Sequence, residues 1–228
     1  MFVQKVSNFK SMRLLLRDAW ITALVIAFIA LTIHRELNYK GIILGIGIAL
    51  GYILAYTLND YFDAEEDAMS QYKGEHNFFV HHKLPFILAI TLLMGILGIM
   101  LIIFSSFGSR GIVIFILSII MMWAYSVGPL HLRNRPFFDV IIHAMFIISY
   151  PYFIILFLLD LEWLVLDYFL LSIFIVGSAI IQLENQIRDY DLDIINGNNT
   201  TISVGIRKSN NLIKLLTILT LSAPLPSV

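Results

Sequence analysis

Apolar residues in this chain fall into long runs separated by short polar stretches. The runs lie near 19–34, 41–58, 84–105, 111–127, 138–159 and 163–183. Each reaches or approaches the roughly 20 residues a helix needs to cross the hydrocarbon of a bilayer, within a range of about 17–25. A seventh run starts near 211 and meets Pro224, so it reads as a short span. The pattern predicts an all-α polytopic transmembrane bundle of about seven spans. Ahead of it, Lys5, Lys10, Arg13 and Arg17 are interleaved with Phe2, Val3, Val6, Phe9 and Leu14–Leu16. Residues 1–18 therefore read as an amphipathic segment lying on the membrane surface, with a disordered basic tail as the alternative. His34, Arg35, Glu36 and Leu37 follow the first run where a signal peptide would have small residues at its cleavage site. Residues 19–228 are the expected transmembrane domain, and the short last run suggests that its C-terminal end is incomplete.

The polar stretches repeat a pattern. NDYFDAEED contains Asn59, Asp63 and Asp67, and NQIRDYDLD contains Asn185, Asp189 and Asp193. Both read N-x-x-x-D-x-x-x-D, and both follow an apolar run. On a helix these positions share one face, so each copy stacks an amide and two carboxylates. Carboxylates are costly near a bilayer, and neighbouring ones repel. Two such stripes make chemical sense around a strong cation. Mg²⁺ fits, because it takes oxygen ligands and bridges to substrate phosphates. The pattern points to a membrane enzyme that handles a diphosphate. Tyr52 and Tyr56 share the face of the first stripe, deeper in the span, where aromatic rings can stabilise a cation or simply pack. Gln182 and Arg188 accompany the second stripe.

Composition agrees with the apolar pattern. The chain is 59% hydrophobic and 14% charged, against roughly 25% charged in soluble domains. The net charge of −1 suggests no nucleic-acid partner. The absence of Cys removes disulfides, thiolate metal sites and a Cys nucleophile. With the N-terminus inside, twelve Lys and Arg residues fall on inner segments, and only Arg35, Lys40 and Arg110 fall on outer ones. That bias predicts a multi-pass protein with its N-terminus and both Asp motifs on the cytoplasmic side.

Between the stripes, YSVGPLHLRNRPFFD carries a Gly128-Pro129 break followed by Arg133 and Arg135. These arginines can hold diphosphate oxygens, and they also serve as inner-loop anchors. His76, His81 and His82 read as a hydrated loop rather than a metal site. His143 lies inside the fifth run, where it is either functional or hydrogen-bonded to a neighbouring helix. Gly41, Gly45, Gly47 and Gly51 read as small residues at a helix interface.

At these residues the chain resembles the UbiA superfamily of intramembrane prenyltransferases. Asn59, Asp60, Asp63 and Asp67 match its first Asp-rich motif. Asp189, Tyr190, Asp193, Gly197 and Thr200 match its second. Tyr125, Ser126, Pro129 and Leu130 match its central loop, where Gly128 replaces one proline and Arg133 stands in place of a lysine. The resemblance departs from the pattern at SQYKGEHNFFVHHKLP, where many members have an R-x-R-P segment, and in having about seven spans where nine are common. It implies that Asp63, Asp67, Asp189 and Asp193 hold Mg²⁺ and act in catalysis. Asn59, Asp60, Asn185, Arg188, Arg133, Lys73, Tyr125 and Tyr56 are the implied substrate-binding set. The implied partners are an isoprenyl diphosphate, a lipophilic acceptor such as an aromatic quinone precursor or a carotenoid, and membrane lipids. The competing readings are a membrane cation transporter and an inactive scaffold of the same fold.

Overall fold

In a computed structural model, residues 19–69, 74–75, 77–127, 130–196 and 198–222 are described. The proposed surface segment 1–18 lies outside them, as do Lys73, His76, Gly128, Pro129 and Gly197. Among the described residues every regular element is a helix, and there are no strands. The helices are α1 (Ala19–Ile33), α2 (Tyr39–Asp67), α3 (Phe78–His81), α4 (Phe86–Ser105), α5 (Gly108–Ser126), α6 (Phe138–Leu158), α7 (Val165–Arg188), α8 (Tyr190–Asn196), α9 (Thr200–Val204) and α10 (Ile206–Ser222).

Five of these, α2, α4, α5, α6 and α7, are long and apolar enough to cross a membrane. The described parts of α1 and α10 have 15 and 17 residues, fewer than the roughly 20 typical of a span. The largest departure from the expected boundaries is at α2. Its apolar run ends near residue 58, but the helix continues to Asp67. The acidic stripe is thus the last turns of a spanning helix and not a loop.

The chain divides into two compact units. One contains the start of α1 and residues 38–122. Here α2 packs against α4 through small residues. A Cβ on Gly47 would stand 2.9 Å from Ile103 Cγ2, and one on Gly51 would stand 3.0 Å from Met100 Cε. The glycines let the backbones approach, as expected of small residues between membrane helices. Leu44, Ile48, Met100, Phe104 and Phe115 form the core of this unit. Phe86, Ile87 and Ile102 on α4 are each more than 70% exposed, the distribution suited to a lipid surrounding.

The other unit contains residues 26–37 and the chain from Trp123 onward. Its centre is α7, flanked by α6 and α10. α6 is not uniform, since Met145–Ser149 widens into a π turn immediately before Pro151. A proline has no N–H to donate and clashes with the carbonyl four residues earlier. The wider turn relieves that clash, and Ser149 Oγ donates to the carbonyls of Ala144 and Met145. At the far end of α7, fully buried Asp167 accepts from Tyr152 Oη, from Leu164 N and from His34 Nε2 at 3.0 Å. These bonds tie the loop after α1, the π-bulged helix α6 and the start of α7 to one carboxylate.

Candidate active site

The first stripe lies on one uninterrupted helix. α2 runs through Asn59, Asp63 and Asp67 and ends at Ala68, so the three side chains share a face. Asp60 and Asp63 are buried, while Tyr52, Tyr56, Asn59 and Asp67 are half-buried. Buried acids need hydrogen-bond donors. Asn59 Nδ2 supplies one to Asp63 Oδ2 at 2.7 Å. A second amide, Asn77, which sequence reasoning passed over, serves the last carboxylate of the stripe. It is fully buried, and its Nδ2 donates to the Asp60 main-chain carbonyl at 2.7 Å and to Asp67 Oδ2 at 2.8 Å. Its Oδ1 accepts from Phe79 N and caps α3.

The second stripe differs from the expected straight helix. α7 ends at Arg188, Asp189 takes φ −92° and ψ 4°, and α8 begins at Tyr190. The four-residue step survives the joint, because Asp189 N donates to Asn185 O and Asp193 N to Asp189 O, both at 3.0 Å. Arg188 Nη2 donates to Asn185 Oδ1 at 2.8 Å, and its Nε is 3.7 Å from Asp189 Oδ1. Asn199 Nδ2 donates to Asp193 Oδ2 at 2.9 Å, while its Oδ1 accepts from Ile202 N and caps α9.

The joint at Asp189 sits beside a buried network. Asp139 Oδ2 accepts from Gln186 Nε2 and Thr200 N, both at 2.7 Å, and Oδ1 accepts from Val140 N and the Thr200 hydroxyl. Gln186 Oε1 accepts from Thr201 N at 3.0 Å. Phe137, at φ 71°, donates its N–H to Thr200 Oγ1 at 2.7 Å. A non-glycine residue in that region carries strain, and here it is held by the threonine of the second motif. This network fixes the start of α6, the end of α7 and the start of α9. Arg133, in the short 3₁₀ turn Leu132–Asn134, is close enough to Asp193 to feel its charge. Burial lowers the Arg133 pKa and the Asp193 carboxylate opposes that shift, so the cation stands in a partly desolvated place beside the second stripe.

The remaining candidates separate clearly. Tyr125 is half-buried at the end of α5. Lys73 lies outside the described residues. The His82 ring stacks on Phe78 at 4.6 Å, as befits a packed loop rather than a ligand set. His143 Nδ1 is 3.0 Å from Ser178 Oγ, whose hydroxyl donates back to the His143 carbonyl. The serine proton is therefore committed to the carbonyl, so the imidazole Nδ1 carries the proton of that contact. His143 is thus bonded to the neighbouring helix.

Each stripe offers hard anionic oxygens. Among the described residues, no three His, Cys, Asp or Glu side chains gather into a closed cage. The donor set suits Mg²⁺, which binds through one or two carboxylates and completes its shell with water and substrate phosphate.

A family model, the UbiA prenyltransferase family, matches residues 19–228. Solved structures of a UbiA homolog from Archaeoglobus fulgidus share the fold. The form bound to GPP and Mg²⁺ aligns at TM-score 0.75 and 17% identity, over 92% of this chain and 75% of that one. The form bound to DMAPP and Mg²⁺ aligns at TM-score 0.74 and 16% identity over the same shares. A form bound to Cd²⁺ aligns at TM-score 0.71 and 17% identity, covering 92% of this chain and 75% of that one. No curated protein matches the sequence significantly. With the family model spanning all but the first 18 residues, this integral membrane protein belongs to the UbiA prenyltransferase family.

Proposed function

We propose that this chain transfers an isoprenyl group from an allylic prenyl diphosphate to a lipophilic acceptor within the membrane, in a Mg²⁺-dependent reaction. The acceptor class is an aromatic quinone precursor, a carotenoid or a similar lipid. Asp63, Asp67, Asp189 and Asp193 hold Mg²⁺. Asn59, Asp60, Asn185, Arg188, Arg133, Lys73, Tyr125 and Tyr56 bind the substrate. The observation that carries this reading is the repeated acidic stripe at identical spacing, with an amide gripping the last carboxylate of each copy. The prenyl diphosphates and Mg²⁺ bound by the similar Archaeoglobus fulgidus homolog support the choice of substrate and ion.

Bound Mg²⁺ supplies positive charge that stabilises the diphosphate as it leaves. The protein supplies the rest. Arg133 and Arg188 donate to diphosphate oxygens, and Arg133 is the more effective because its charge is partly desolvated. The C1–O bond breaks with its electron pair going to the diphosphate, leaving an allylic cation. The cation accepts electrons from an acceptor carbon, a new C–C bond forms, and that carbon loses a proton. Tyr52 and Tyr56 present aromatic faces N-terminal to the stripe, where an allylic cation gains from them. The apolar spans exclude water that would otherwise trap the cation. Both stripes and the N-terminus face the cytoplasm in this reading, a placement supported by the basic residues of the inner segments.

The test is incubation of the purified chain with labelled allylic diphosphates of several lengths and membrane lipid, followed by diphosphate assay and lipid extraction. Diphosphate release that requires Mg²⁺, with a prenylated lipid product, is expected. A cation transporter or an inactive scaffold would release none.

A further inference from the structure

Asn77 and Asn199 lie at unlike distances beyond their stripes, ten residues after Asp67 and six after Asp193. Neither is among the motif residues above, yet they have the same geometry. Each is buried, and each takes an extended backbone, at φ −91° and ψ 116° for Asn77 and φ −112° and ψ 177° for Asn199. Each is the N-cap of a short helix, α3 or α9, with Oδ1 accepting a main-chain N–H. Each directs Nδ2 to the last aspartate of the stripe before it, at 2.8 Å for Asp67 and 2.9 Å for Asp193. The amide orientation is fixed by chemistry. Phe79 N and Ile202 N can only donate, so the oxygen must face them and the NH₂ must face the carboxylate.

We propose that Asn77 and Asn199 are positioning residues for the metal-binding carboxylates, each fixing one oxygen of the last aspartate in its stripe and so the direction of the other. This rests on the function proposed above. The choice of residue has a physical reason. Ser, Thr and Asp cap a helix as well as Asn does, but Asn places its cap acceptor and its outward donor on separate atoms, whereas Ser and Thr have one hydroxyl oxygen for both tasks and an ionised Asp has no donor. A lysine or arginine in the same place would orient the carboxylate but also neutralise it, weakening its hold on a cation. A neutral amide orients the oxygen and leaves its charge. The cap anchors the amide to a helix end, so the carboxylate is aimed by the fold and not by a free side chain. Hydrogen-bond partners of metal ligands typically contribute about 10–100-fold in metal affinity.

The test separates capping from positioning. Asn199→Ser keeps a neutral cap oxygen but replaces the separate amide donor with a single hydroxyl on a shorter arm, whereas Asn199→Ala loses cap and donor together. Asn77→Ser asks the same question in the other unit. For the purified full chain, Mn²⁺ binding is followed by electron paramagnetic resonance with inorganic diphosphate present, alongside thermal unfolding and a Mg²⁺ titration of diphosphate release. Both Ser variants are expected to bind Mn²⁺ about tenfold more weakly. Their half-saturating Mg²⁺ should rise in step, with a smaller fall in the rate at saturation. Asn199→Ser should unfold near the wild-type temperature and Asn199→Ala lower. Ser variants with wild-type Mn²⁺ affinity and Mg²⁺ dependence would show that these residues are caps only and overturn the proposal. A wild-type chain that neither binds Mn²⁺ with diphosphate nor releases diphosphate would instead overturn the functional reading, and the proposal with it.

Discussion

The second motif depends on one carboxylate outside the proposed metal-ligand set. Asp139 is fully buried and accepts from Gln186, Val140 and both donors of Thr200. A buried carboxylate is tolerable only while its donors remain. Thr200→Val keeps the volume but removes the hydroxyl that donates to Asp139 and accepts from Phe137 N. The expected cost is about 1–3 kcal/mol for stranding buried polar groups, read as a lower unfolding temperature in detergent. An unchanged temperature would show that the network does not hold the joint. Thr200 was visible in the sequence through the motif resemblance, and the Asp pairs through their helical spacing. Asp139, Gln186, Asn77 and Asn199 were not visible, because tertiary packing brings their partners together. The sequence signal nearest to Asn199 is an N-cap residue ahead of TTISV, and Asn77 precedes FFVH in the same way.

At the scale of helices, the apolar runs announced the spans within a few residues. They missed the extension of α2 because a helix need not stop where its hydrophobicity stops. The π turn in α6 follows from Pro151, a legible residue whose effect depends on how the helix accommodates it. The turn from α4 into α5 is tight for a reason that only the fold reveals. A Cβ on Gly111 would fall 1.8 Å from the Phe104 carbonyl oxygen, whereas one on Gly95 meets nothing within 4 Å. Gly111→Ala must therefore shift backbone and is expected to cost about 1–3 kcal/mol or more. Gly95→Ala should be neutral or stabilising, since Ala favours the helix by about 1 kcal/mol. Thermal unfolding of the two variants in the same detergent compares them directly, and equal stability would contradict the close approach.

For the whole molecule, the chain's lack of Cys makes each introduced Cys a unique topological reporter. Glu162 lies in the loop before α7, and Lys208 lies near the start of α10, both exposed. Glu162→Cys is expected to react with a membrane-impermeant thiol reagent on intact cells, and Lys208→Cys only after permeabilisation. The reverse pattern would invert the proposed orientation. The central claim is that both acidic stripes hold Mg²⁺ for ionisation of a prenyl diphosphate, and three isosteric variants test it most directly. Asp63→Asn and Asp189→Asn each remove one negative charge from a stripe. Asp191→Asn makes the same change at an exposed position off the stripe. Diphosphate release is measured across a Mg²⁺ titration for all three. The account predicts losses of about 10²–10³-fold in rate for the first two, with Mg²⁺ dependence shifted to higher concentration, and near wild-type behaviour for Asp191→Asn. Equal damage from all three, or full activity in Asp63→Asn and Asp189→Asn, would contradict it.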